Sequence, residues 1–412
     1  MERIRKRVMI LGANDLVLPL IQRAKNEGHY TIVVSPKKDE PGFEYADFAC
    51  NINVLDKEAV LSVARDLKID GIITDQAEAP IRTVAYVAEN LGLPGIGTET
   101  AELFTNKYLQ RKKCQAIGID TIRFKLVNNQ VDALNFFETL SGDAIMKPID
   151  SAGSRGVVRV RQSEDIEKHF NYTLAASGSG QVIVEDYIEG KELMIDGVVV
   201  NNTFQTLVCG EYHKCKMPGV FSAYMGKYPA DLTSDELKMV NDFVKTAIEG
   251  FGLSFGRTHT EVKINKKGVW LMETAARGGG RHISSCVVPL MTDFSSEKFL
   301  LEACLGEVNE VPCINRKKVT CGYIVMFIPP GKIISVDGLK DALDKPYTSM
   351  HNMGDIHVGM ETGQFTDKTD GRFIHLHGKD DAEFYARAEE IKQTINIKVQ
   401  TKHGISNVIW EN

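Results

Sequence analysis

The sequence lacks three signals that would assign a protein to a class at once. Its eight cysteines form no CxxC pair and follow no regular spacing, so reduced and mostly buried thiols of a cytosolic protein are expected. No apolar run approaches the length needed to cross a bilayer. Lys and Arg number 49 and Asp and Glu number 55, giving a net charge of −6. This near balance provides no general attraction to nucleic acid or to an anionic membrane.

The composition is that of an ordinary globular protein, with 43% hydrophobic and 25% charged residues. A chain of 412 residues is too long for one core, so two or three domains are predicted. The basic residues 3–7 before an apolar stretch resemble the start of a signal peptide. However, Asn14 and Asp15 interrupt the stretch and no small-residue cleavage site follows. A cytoplasmic location is therefore predicted.

Residues 7 to about 98 alternate strand and helix signals, which predicts a parallel sheet of Rossmann-like type. Only Gly12 follows the first strand, so the dinucleotide-binding glycine fingerprint is absent. A Pro-Gly break at 93–97 ends this unit. The predicted strands are 8–11, 30–34, 70–74 and 320–327, and the predicted helices are 15–27 (capped by Asp15), 57–67, 100–118, 234–251, 297–305 and 381–396, with strands and turns dominating from 119 to about 208.

A predicted β-hairpin from Glu261 to Glu273 places two carboxylates on one face. With a three-residue turn at 266–268, the facing pairs are Glu261 with Glu273, Lys263 with Leu271 and Asn265 with Val269. Opposed carboxylates repel each other, so a positive charge must lie between them. Mg²⁺ held by one or two carboxylates and by nucleotide phosphates suits this geometry. The alternative is an exposed hairpin whose glutamates point to water or meet lysines.

Residues 144–160 predict a strand, a flexible loop and a second strand. Gly153 and Gly156, with Ser154 between them, let backbone N–H groups turn toward an anion such as phosphate. The loop opens no helix, so it is not a Walker loop. Lys147 lies at the end of a buried strand, where a lysine needs an anionic partner. The alternative is a mobile surface hairpin with an exposed lysine.

Residues 181–195 predict an apolar strand, a short turn and a second strand. Backbone groups near Tyr187 are suited to bond the edge of an adenine ring, and Glu192 is suited to accept a ribose hydroxyl. A plain hairpin with solvated acids explains the same pattern.

Five motifs in this order resemble the ATP-grasp superfamily over roughly residues 7–310. The motifs are Lys107, Met146-Lys147-Pro with Ser-Ala-Gly-Ser-Arg-Gly-Val, Glu185-Asp-Tyr-Ile-Glu-Gly-Lys-Glu192, Thr258-His-Thr-Glu261 and Met272-Glu273-Thr-Ala-Ala-Arg277. The resemblance implies an α/β and α+β fold in three parts. These are a Rossmann-like pre-ATP-grasp domain (1–99), a two-lobed ATP-grasp domain (100–312, with the lid lobe at about 119–190) and a small α+β C-terminal domain (313–412).

The resemblance also implies roles for individual residues. Arg277 and Lys147 are implied as catalytic residues, with Arg277 stabilising the transferred phosphoryl group or acyl phosphate. Glu261 and Glu273 are implied as the ligands of Mg²⁺ or Mn²⁺, with ATP as co-substrate. The residues implied to bind ATP are Lys107 and Lys147 at the phosphates, Ser151, Gly153, Ser154 and Gly156 in the lid loop, Glu185, Tyr187 and Ile188 in the adenine-binding hinge, Glu192 at the ribose, and Met272 as a further contact.

One position departs from the pattern, because Ala275 stands where many members carry an Asn that binds the metal. The run Glu-x-Ala-Ala-Arg followed by glycines resembles the L-amino acid ligases. It implies an ATP-dependent carboxylate–amine ligase that forms an amide or peptide bond through an acyl phosphate and releases ADP and phosphate. The implied partners are a small-molecule carboxylate and an amine, with no nucleic acid and no membrane, and a homodimer is expected.

Two other functions stay open at this point. One is a purine-pathway or carbamoyl-phosphate-type ATP-grasp enzyme, and the other is an ATP-binding sensor without turnover. Retention of Lys107, Lys147, Glu261, Glu273 and Arg277 argues against the sensor. Substrate specificity is expected from the N-terminal domain, the segment 211–230 and the C-terminal domain.

The histidines near these motifs are weighed separately. His282 follows Gly-Gly-Gly-Arg, and whether it approaches substrate or phosphate stays open from the sequence. His259 is expected to pack near Glu261 or to support it. His375 and His377 share one face of a strand without a convincing third ligand, so strand-surface positions rather than metal ligation are predicted.

Overall fold

The computed structural model describes residues 5–119, 121–215, 222–363 and 371–411. Residues 3 and 4 of the basic opening and residues 216–221 of the predicted specificity segment lie outside the described residues. The mixed α/β and α+β architecture predicted from the sequence is confirmed. Within the described ranges, no helix combines the length and the apolar character that a membrane crossing requires.

The N-terminal part contains four strands and three α-helices. Their bounds are β1 Arg7–Leu11, α1 Leu18–Asn26, β2 Tyr30–Val34, a 3₁₀ helix Pro41–Tyr45, β3 Phe48–Cys50, α2 Lys57–Asp66, β4 Gly71–Ile73 and α3 Ile81–Leu91. The strands form a parallel sheet in the order β3-β2-β1-β4, as the alternating pattern predicts. Because β1 and β4 are parallel neighbours, the residues that follow them lie at the same edge of the sheet.

The start of α1 differs from the prediction. Asp15 does not cap it, and the helix begins at Leu18 with Pro19 in its first turn. The side-chain oxygen of Asn14, rather than that of Asp15, accepts the N–H of Val17. Asp15 is thereby left in the connection after β1.

The single helix predicted over 100–118 is wrong, because two helices occupy this region, α4 Thr98–Phe104 and α5 Lys107–Ala116. The backbone leaves helical geometry at Asn106 (φ −135°, ψ 106°). The side-chain oxygen of Asn106 accepts the N–H groups of Tyr108 and Leu109 and so caps α5. This cap places Lys107 at the first position of the second helix.

The lid lobe is an antiparallel sheet with two helices. Its elements are β5 Phe124–Val127, α6 Gln130–Phe137, β6 Ala144–Pro148, β7 Val158–Val160, α7 Ser163–Ala175 and β8 Val182–Asp186, with the strand order β5-β8-β6-β7. The prediction that strands and turns dominate this part missed both helices. Each helix has a capping signal in the sequence, since Asn129 accepts the N–H of Asp132 and Asp165 accepts the N–H of Gln162.

The second lobe and the C-terminal strands share one sheet. The elements up to residue 326 are β9 Lys191–Val200, β10 Thr203–Lys214, β11 Ala223–Tyr228, α8 Ser234–Phe251, β12 Phe255–Asn265, β13 Gly268–Ala275, a π-helical turn Ile283–Val287, α9 Val288–Met291, α10 Ser296–Cys304 and β14 Thr320–Met326. The remaining elements are β15 Gly331–Asp337, α11 Leu339–Leu343, β16 Thr348–His351, β17 Glu361–Thr362, β18 Arg372–Gly378, α12 Asp381–Thr394, β19 Asn396–Thr401 and β20 Gly404–Asn407.

The large sheet has eight antiparallel strands in the order β13-β12-β9-β10-β11-β14-β18-β16, and a smaller sheet has the order β17-β15-β19-β20. Because β11 pairs with β14, the large sheet continues across the boundary predicted at residue 313. The C-terminal strands therefore extend the sheet that carries the predicted metal ligands. The division into three domains stays a prediction.

Candidate active site

The predicted hairpin is formed by β12 and β13, and Glu261 pairs with Glu273 as expected. Two details of the predicted register are wrong. The turn contains only Lys266 and Lys267, and a bulge beside Glu261 leaves Met272 as an extra residue on β13. The other observed pairs are Asn265 with Gly268, Ile264 with Val269, Lys263 with Trp270 and Val262 with Leu271. The extra residue in the bulge compensates for the shorter turn and so restores the opposition of the two carboxylates.

Lys107 supplies a positive charge to one of these carboxylates. Its Nζ lies 2.6 Å from Glu273 Oε1 and donates to the carbonyl oxygen of Ser151 at 2.7 Å. Burial alone would lower the pKa of Lys107, but Glu273 and neighbouring carboxylates outweigh it and raise this pKa above its usual value. A charged Lys107 therefore connects the carboxylate pair to the predicted lid loop.

Glu261 has partners of its own. Tyr212 donates its hydroxyl to Glu261 Oε1 at 2.9 Å, and His259 Nε2 lies 3.8 Å from the same oxygen. The other ring nitrogen of His259 lies 2.9 Å from Asp196 Oδ2. Burial alone would lower the pKa of His259, but Asp196 and Glu261 raise it to about 9. Positive charge therefore lies beside both carboxylates, and His259 has the supporting position that the sequence predicts.

Lys147 has the anionic partner that a buried lysine needs, so the alternative of an exposed lysine is wrong. Its Nζ lies 2.6 Å from Glu185 Oε1, and both side chains are buried. Arg111, which the sequence analysis missed, donates to Glu185 at 2.8 Å and to the carbonyl oxygen of Leu271 at 2.6 Å. Burial alone would raise the pKa of Glu185, but Arg111 and Lys147 lower it to about 2. Arg111 follows Lys107 by four residues on α5, so helical periodicity places both on one face.

The lid loop follows Lys147 and has backbone conformations that favour glycine. Gly153, Ser154 and Gly156 all have positive φ, at 71°, 63° and 72°. A Cβ atom at residue 156 would lie 2.6 Å from Ala176 Cβ and 2.8 Å from Pro148 Cγ. A larger residue is therefore excluded at 156 by contact as well as by conformation.

The predicted adenine-binding segment follows β8. The ring of Tyr187 lies close to two cations, with Arg159 Cζ at 3.7 Å and Lys263 Nζ at 4.4 Å from its centroid. Lys263 also donates to the carbonyl oxygen of Ile188 at 2.8 Å. The N–H of Tyr187 donates to the carbonyl oxygen of Asp143 at 2.9 Å. Both backbone groups thus have protein partners, and their contact with adenine stays a prediction.

A cavity of about 960 Å³ lies where the N-terminal domain, the lid loop, β12–β13 and the C-terminal strands meet. The predicted site residues that line it are Gly153, Ser154, Glu261, Glu273 and Arg277. Those that lie outside its wall are Lys107, Lys147, Ser151, Gly156, Glu185, Tyr187, Ile188, Glu192 and Met272. Lys147 Nζ lies 3.5 Å from the carbonyl oxygen of Met272, and Glu192 lies 2.5 Å from Lys214. Lys107, which lies outside the wall, contacts Glu273, which lines the cavity. The carboxylate pair therefore connects the predicted nucleotide-binding residues to the cavity.

Arg277 joins the cavity wall to the N-terminal domain. Its Nη2 lies 3.1 Å from Glu78 Oε2, in the segment after β4, and its Nη1 donates to the carbonyl oxygen of Gly278 at 2.9 Å. Asp75 accepts the N–H of Gly278 at 3.0 Å. A Cβ atom at residue 278 would collide with Ser284 Oγ, so the glycine is required here. Neither Asp75 nor Glu78 was predicted from the sequence.

Of the histidines considered from the sequence, His282 lies at the cavity and His375 lies in the core. His282 lines the cavity, and both Arg281 and His282 have positive φ, at 54° and 58°. Such conformations are uncommon outside glycine and persist where surrounding contacts hold the backbone. His375 is fully buried, with its Nε2 2.5 Å from the carbonyl oxygen of Arg281. The strand-surface position predicted for His375 is therefore wrong, because β18 packs beneath this turn, whereas His377 is half-buried.

Glu261 and Glu273 offer a divalent cation two carboxylates at one point of the cavity wall. Among the residues that the structure describes, no group of three or more His, Cys, Asp or Glu side chains is arranged to hold a metal. A cage built of protein ligands alone therefore does not fit. A hard cation that keeps water and binds phosphate oxygens needs only one or two carboxylates, and this donor set fits such a cation. Ala275 also lines the cavity.

Residues 140–285 match the family model described as ATP-grasp domain. The alanine–anticapsin ligase of Bacillus subtilis is 25% identical over 279 residues, which are 62% of this chain and 58% of that protein. A formate-dependent phosphoribosylglycinamide formyltransferase of Hydrogenovibrio crunogenus is 21% identical over 352 residues, 84% of this chain and 87% of that protein. For two of the curated relatives that it matches, the chain spans about half of their length, at 43% and 58%.

The fold also matches solved structures over nearly its whole length. The crystal structure of an L-amino acid ligase from Bacillus licheniformis superimposes with a TM-score of 0.81 at 21% identity, covering 97% of this chain and 100% of that chain. The matched family segment contains Lys147, the lid loop, the carboxylate pair and Arg277. The chain therefore contains a segment, residues 140–285, that matches the ATP-grasp domain, and its fold is similar to that of the L-amino acid ligase structure.

Proposed function

We propose that this protein is an ATP-dependent carboxylate–amine ligase that forms an amide or peptide bond through an acyl phosphate. The observation that carries the proposal is the connected set of charges around Glu261 and Glu273. Lys107 contacts Glu273 directly, Lys147 lies beside the strand that carries it, and Arg277 lines the same cavity. Phosphoryl transfer depends mainly on positioning and on neutralising the charge of phosphoryl oxygens.

The chemistry proceeds in two steps. An oxygen of the substrate carboxylate attacks the γ-phosphorus of ATP, and the bond to the β,γ-bridging oxygen breaks to release ADP. The amine nitrogen then attacks the acyl carbon, phosphate leaves, and the nitrogen loses a proton as the amide forms. Lys107 and Lys147 hold the phosphates, while Arg277 stabilises the transferred group. The lid loop excludes water, which would otherwise hydrolyse the acyl phosphate.

Glu261 and Glu273 would hold the divalent cation, which we propose to be Mg²⁺. When bound, such a cation neutralises charge on the phosphate oxygens. Tyr212 and His259 orient Glu261 for this role, and Lys107 does so for Glu273. The location in the cytoplasm and the homodimer stay predictions.

The relatives suggest two substrate classes. Amino acids are proposed first, because the alanine–anticapsin ligase and the L-amino acid ligase structure are both similar to this chain. A purine-pathway substrate is the second candidate, because the similarity to the phosphoribosylglycinamide formyltransferase extends over 84% of this chain. Both are consistent with a reaction that activates a carboxylate and transfers it to an amine.

Hydroxylamine trapping tests the proposed intermediate directly. With Mg²⁺–ATP, a carboxylate substrate and hydroxylamine in place of the amine, we expect a hydroxamate and an equal amount of ADP. Formate and phosphoribosylglycinamide are assayed beside the amino acids to separate the two substrate classes. ATP binding without ADP formation in any of these mixtures would support the sensor and contradict the ligase.

A further inference from the structure

One wall of the cavity is apolar and comes mainly from the C-terminal strands. Tyr323 on β14, Met350 on β16 and Phe373 on β18 line the cavity together with Tyr212 on β10. These four residues belong to one hydrophobic cluster. We call them the aromatic wall. All four lie on strands of the large sheet, which holds their positions more firmly than loops would.

The aromatic wall begins at the reaction centre. Tyr212 belongs to the wall and also donates its hydroxyl to Glu261 at 2.9 Å. A substrate whose carboxylate is phosphorylated beside Glu261 carries its side chain on the adjacent carbon atom. That side chain is therefore within reach of the wall when the carboxylate is in place.

The rings of the wall are held by their neighbours. The ring of His375 lies 5.6 Å from Phe373 at an interplanar angle of 90° and 5.5 Å from Tyr323. A Cβ atom at Gly226, the strand partner of Tyr323, would lie 2.5 Å from Tyr323 Cζ. Only a glycine at 226 leaves room for the ring in its present place. The apolar surface is thus formed in advance, which reduces the entropy lost on binding.

The two arginines at the edge of the wall have partners within the protein. Arg372, which also lines the cavity, lies 2.9 Å from Asp355 and donates to the carbonyl oxygen of Asn352 at 2.9 Å. Asp355 thus balances its charge. Arg281, which also lines the cavity, has its Cζ 5.2 Å from the centroid of Tyr323, so its guanidinium contacts this ring.

We propose that the aromatic wall is the subsite for an apolar side chain, from leucine to phenylalanine in size, on the amino acid whose carboxylate is activated. This inference rests on the proposed ligase function and adds the substrate class to it. Met350 gives the subsite an adaptable side chain, since methionine fills irregular spaces and packs well against aromatic rings. A small side chain leaves this apolar surface uncovered, and a charged side chain loses water against it.

Product analysis tests the inference. Mg²⁺–ATP is supplied with alanine and one further amino acid, and the N-terminal residue of the dipeptide is identified by mass spectrometry. We expect kcat/KM for leucine, methionine and phenylalanine as the N-terminal residue to exceed that for glycine, aspartate and lysine by about tenfold or more. Dipeptides formed preferentially with a small or charged N-terminal residue would overturn this inference and leave the ligase function intact. A complete lack of product and of phosphate release would overturn both.

A pair of variants separates binding from folding. Met350→Ala should lower the ratio of kcat/KM for phenylalanine to that for glycine several-fold, because it removes part of the wall. Met360→Ala is the matched control, since Met360 is also half-buried in the C-terminal part but does not line the cavity. A general loss of stability lowers both rates and leaves their ratio unchanged. An unchanged ratio in Met350→Ala would contradict the subsite.

Discussion

The Nζ atom of Lys107 lies 2.6 Å from Glu273 Oε1, so the lysine predicted to bind phosphate and the glutamate predicted to bind the metal neutralise each other. In the proposed reaction, Mg²⁺–ATP would offer each of them a new partner, phosphate oxygens for the lysine and the cation for the glutamate. Both charges would then be paired before and after binding, which would limit the cost of keeping them in a partly buried site.

Replacement of Glu273 tests its predicted role as a metal ligand. Glu273→Ala should reduce Mg²⁺-dependent ADP formation by about a hundredfold or more, because one of the two carboxylates is lost at the point where charge develops. Circular dichroism should show the fold retained, since Glu273 is on the cavity wall. Near-normal ADP formation in this variant would remove the metal role assigned to the pair.

Replacement of Lys107 tests its predicted contact with the phosphates of ATP. Lys107→Ala should raise the dissociation constant for ATP about tenfold or more, because a charge-assisted contact to phosphate is lost. The matched control is Lys112→Ala, an exposed lysine on the same helix. Equal ATP affinity in the two variants, measured by calorimetry, would show that Lys107 serves only the ion pair with Glu273.

Lys147 pairs with the buried Glu185 and is also proposed to bind phosphate. Lys147→Ala should weaken ATP binding and also lower the free energy of unfolding, because it leaves the buried Glu185 with only Arg111 as a cationic partner. Lys125→Ala, an exposed lysine in the same lobe, is the control. An unchanged dissociation constant for ATP in Lys147→Ala would argue against the phosphate contact.

The low pKa of Glu185 predicts a pH dependence of stability. Although burial alone would raise it, Arg111 and Lys147 lower the pKa of Glu185 from 4.5 to about 2 in the folded protein. The unfolded chain therefore takes up this proton first as the pH falls. The stabilisation is present above about pH 4.5 and is lost as the pH falls toward 2.

Urea denaturation of the wild type and of Glu185→Gln measures this effect. The difference in the free energy of unfolding between the two proteins should shrink as the pH is lowered from 5 to 3. A difference that stays constant over this range would contradict the assigned ion pairs.

The sequence carries the parts of the site that depend on local pattern. Alternation of apolar residues and a short turn predict that Glu261 faces Glu273, and the structure reaches this pairing through a bulge that the pattern does not show. A lysine at the end of an apolar strand requires an anion, which is Glu185. The alternating strand and helix signals likewise predict the parallel N-terminal sheet. Local side-chain chemistry also marks Asn106 as a helix cap, although the single predicted helix overlooked it.

The parts that the sequence does not reveal depend on contacts between distant segments. Arg277 and Glu78 are 199 residues apart, and only the packing of the second lobe against the N-terminal domain brings them together. The burial of His375 depends on β18 passing beneath the turn at Arg281. The pairing of β11 with β14, which joins the C-terminal strands to the large sheet, is equally non-local. No local pattern in the sequence indicates these contacts.

Phosphate release from Mg²⁺–ATP, measured with amino acids singly and in pairs, distinguishes an amino-acid ligase from the other functions. We expect rapid release that requires both a carboxylate and an amine substrate, with one dipeptide formed for each phosphate released. Release that is the same with and without amino acids, or none at all while ATP still binds, would contradict an amino-acid ligase.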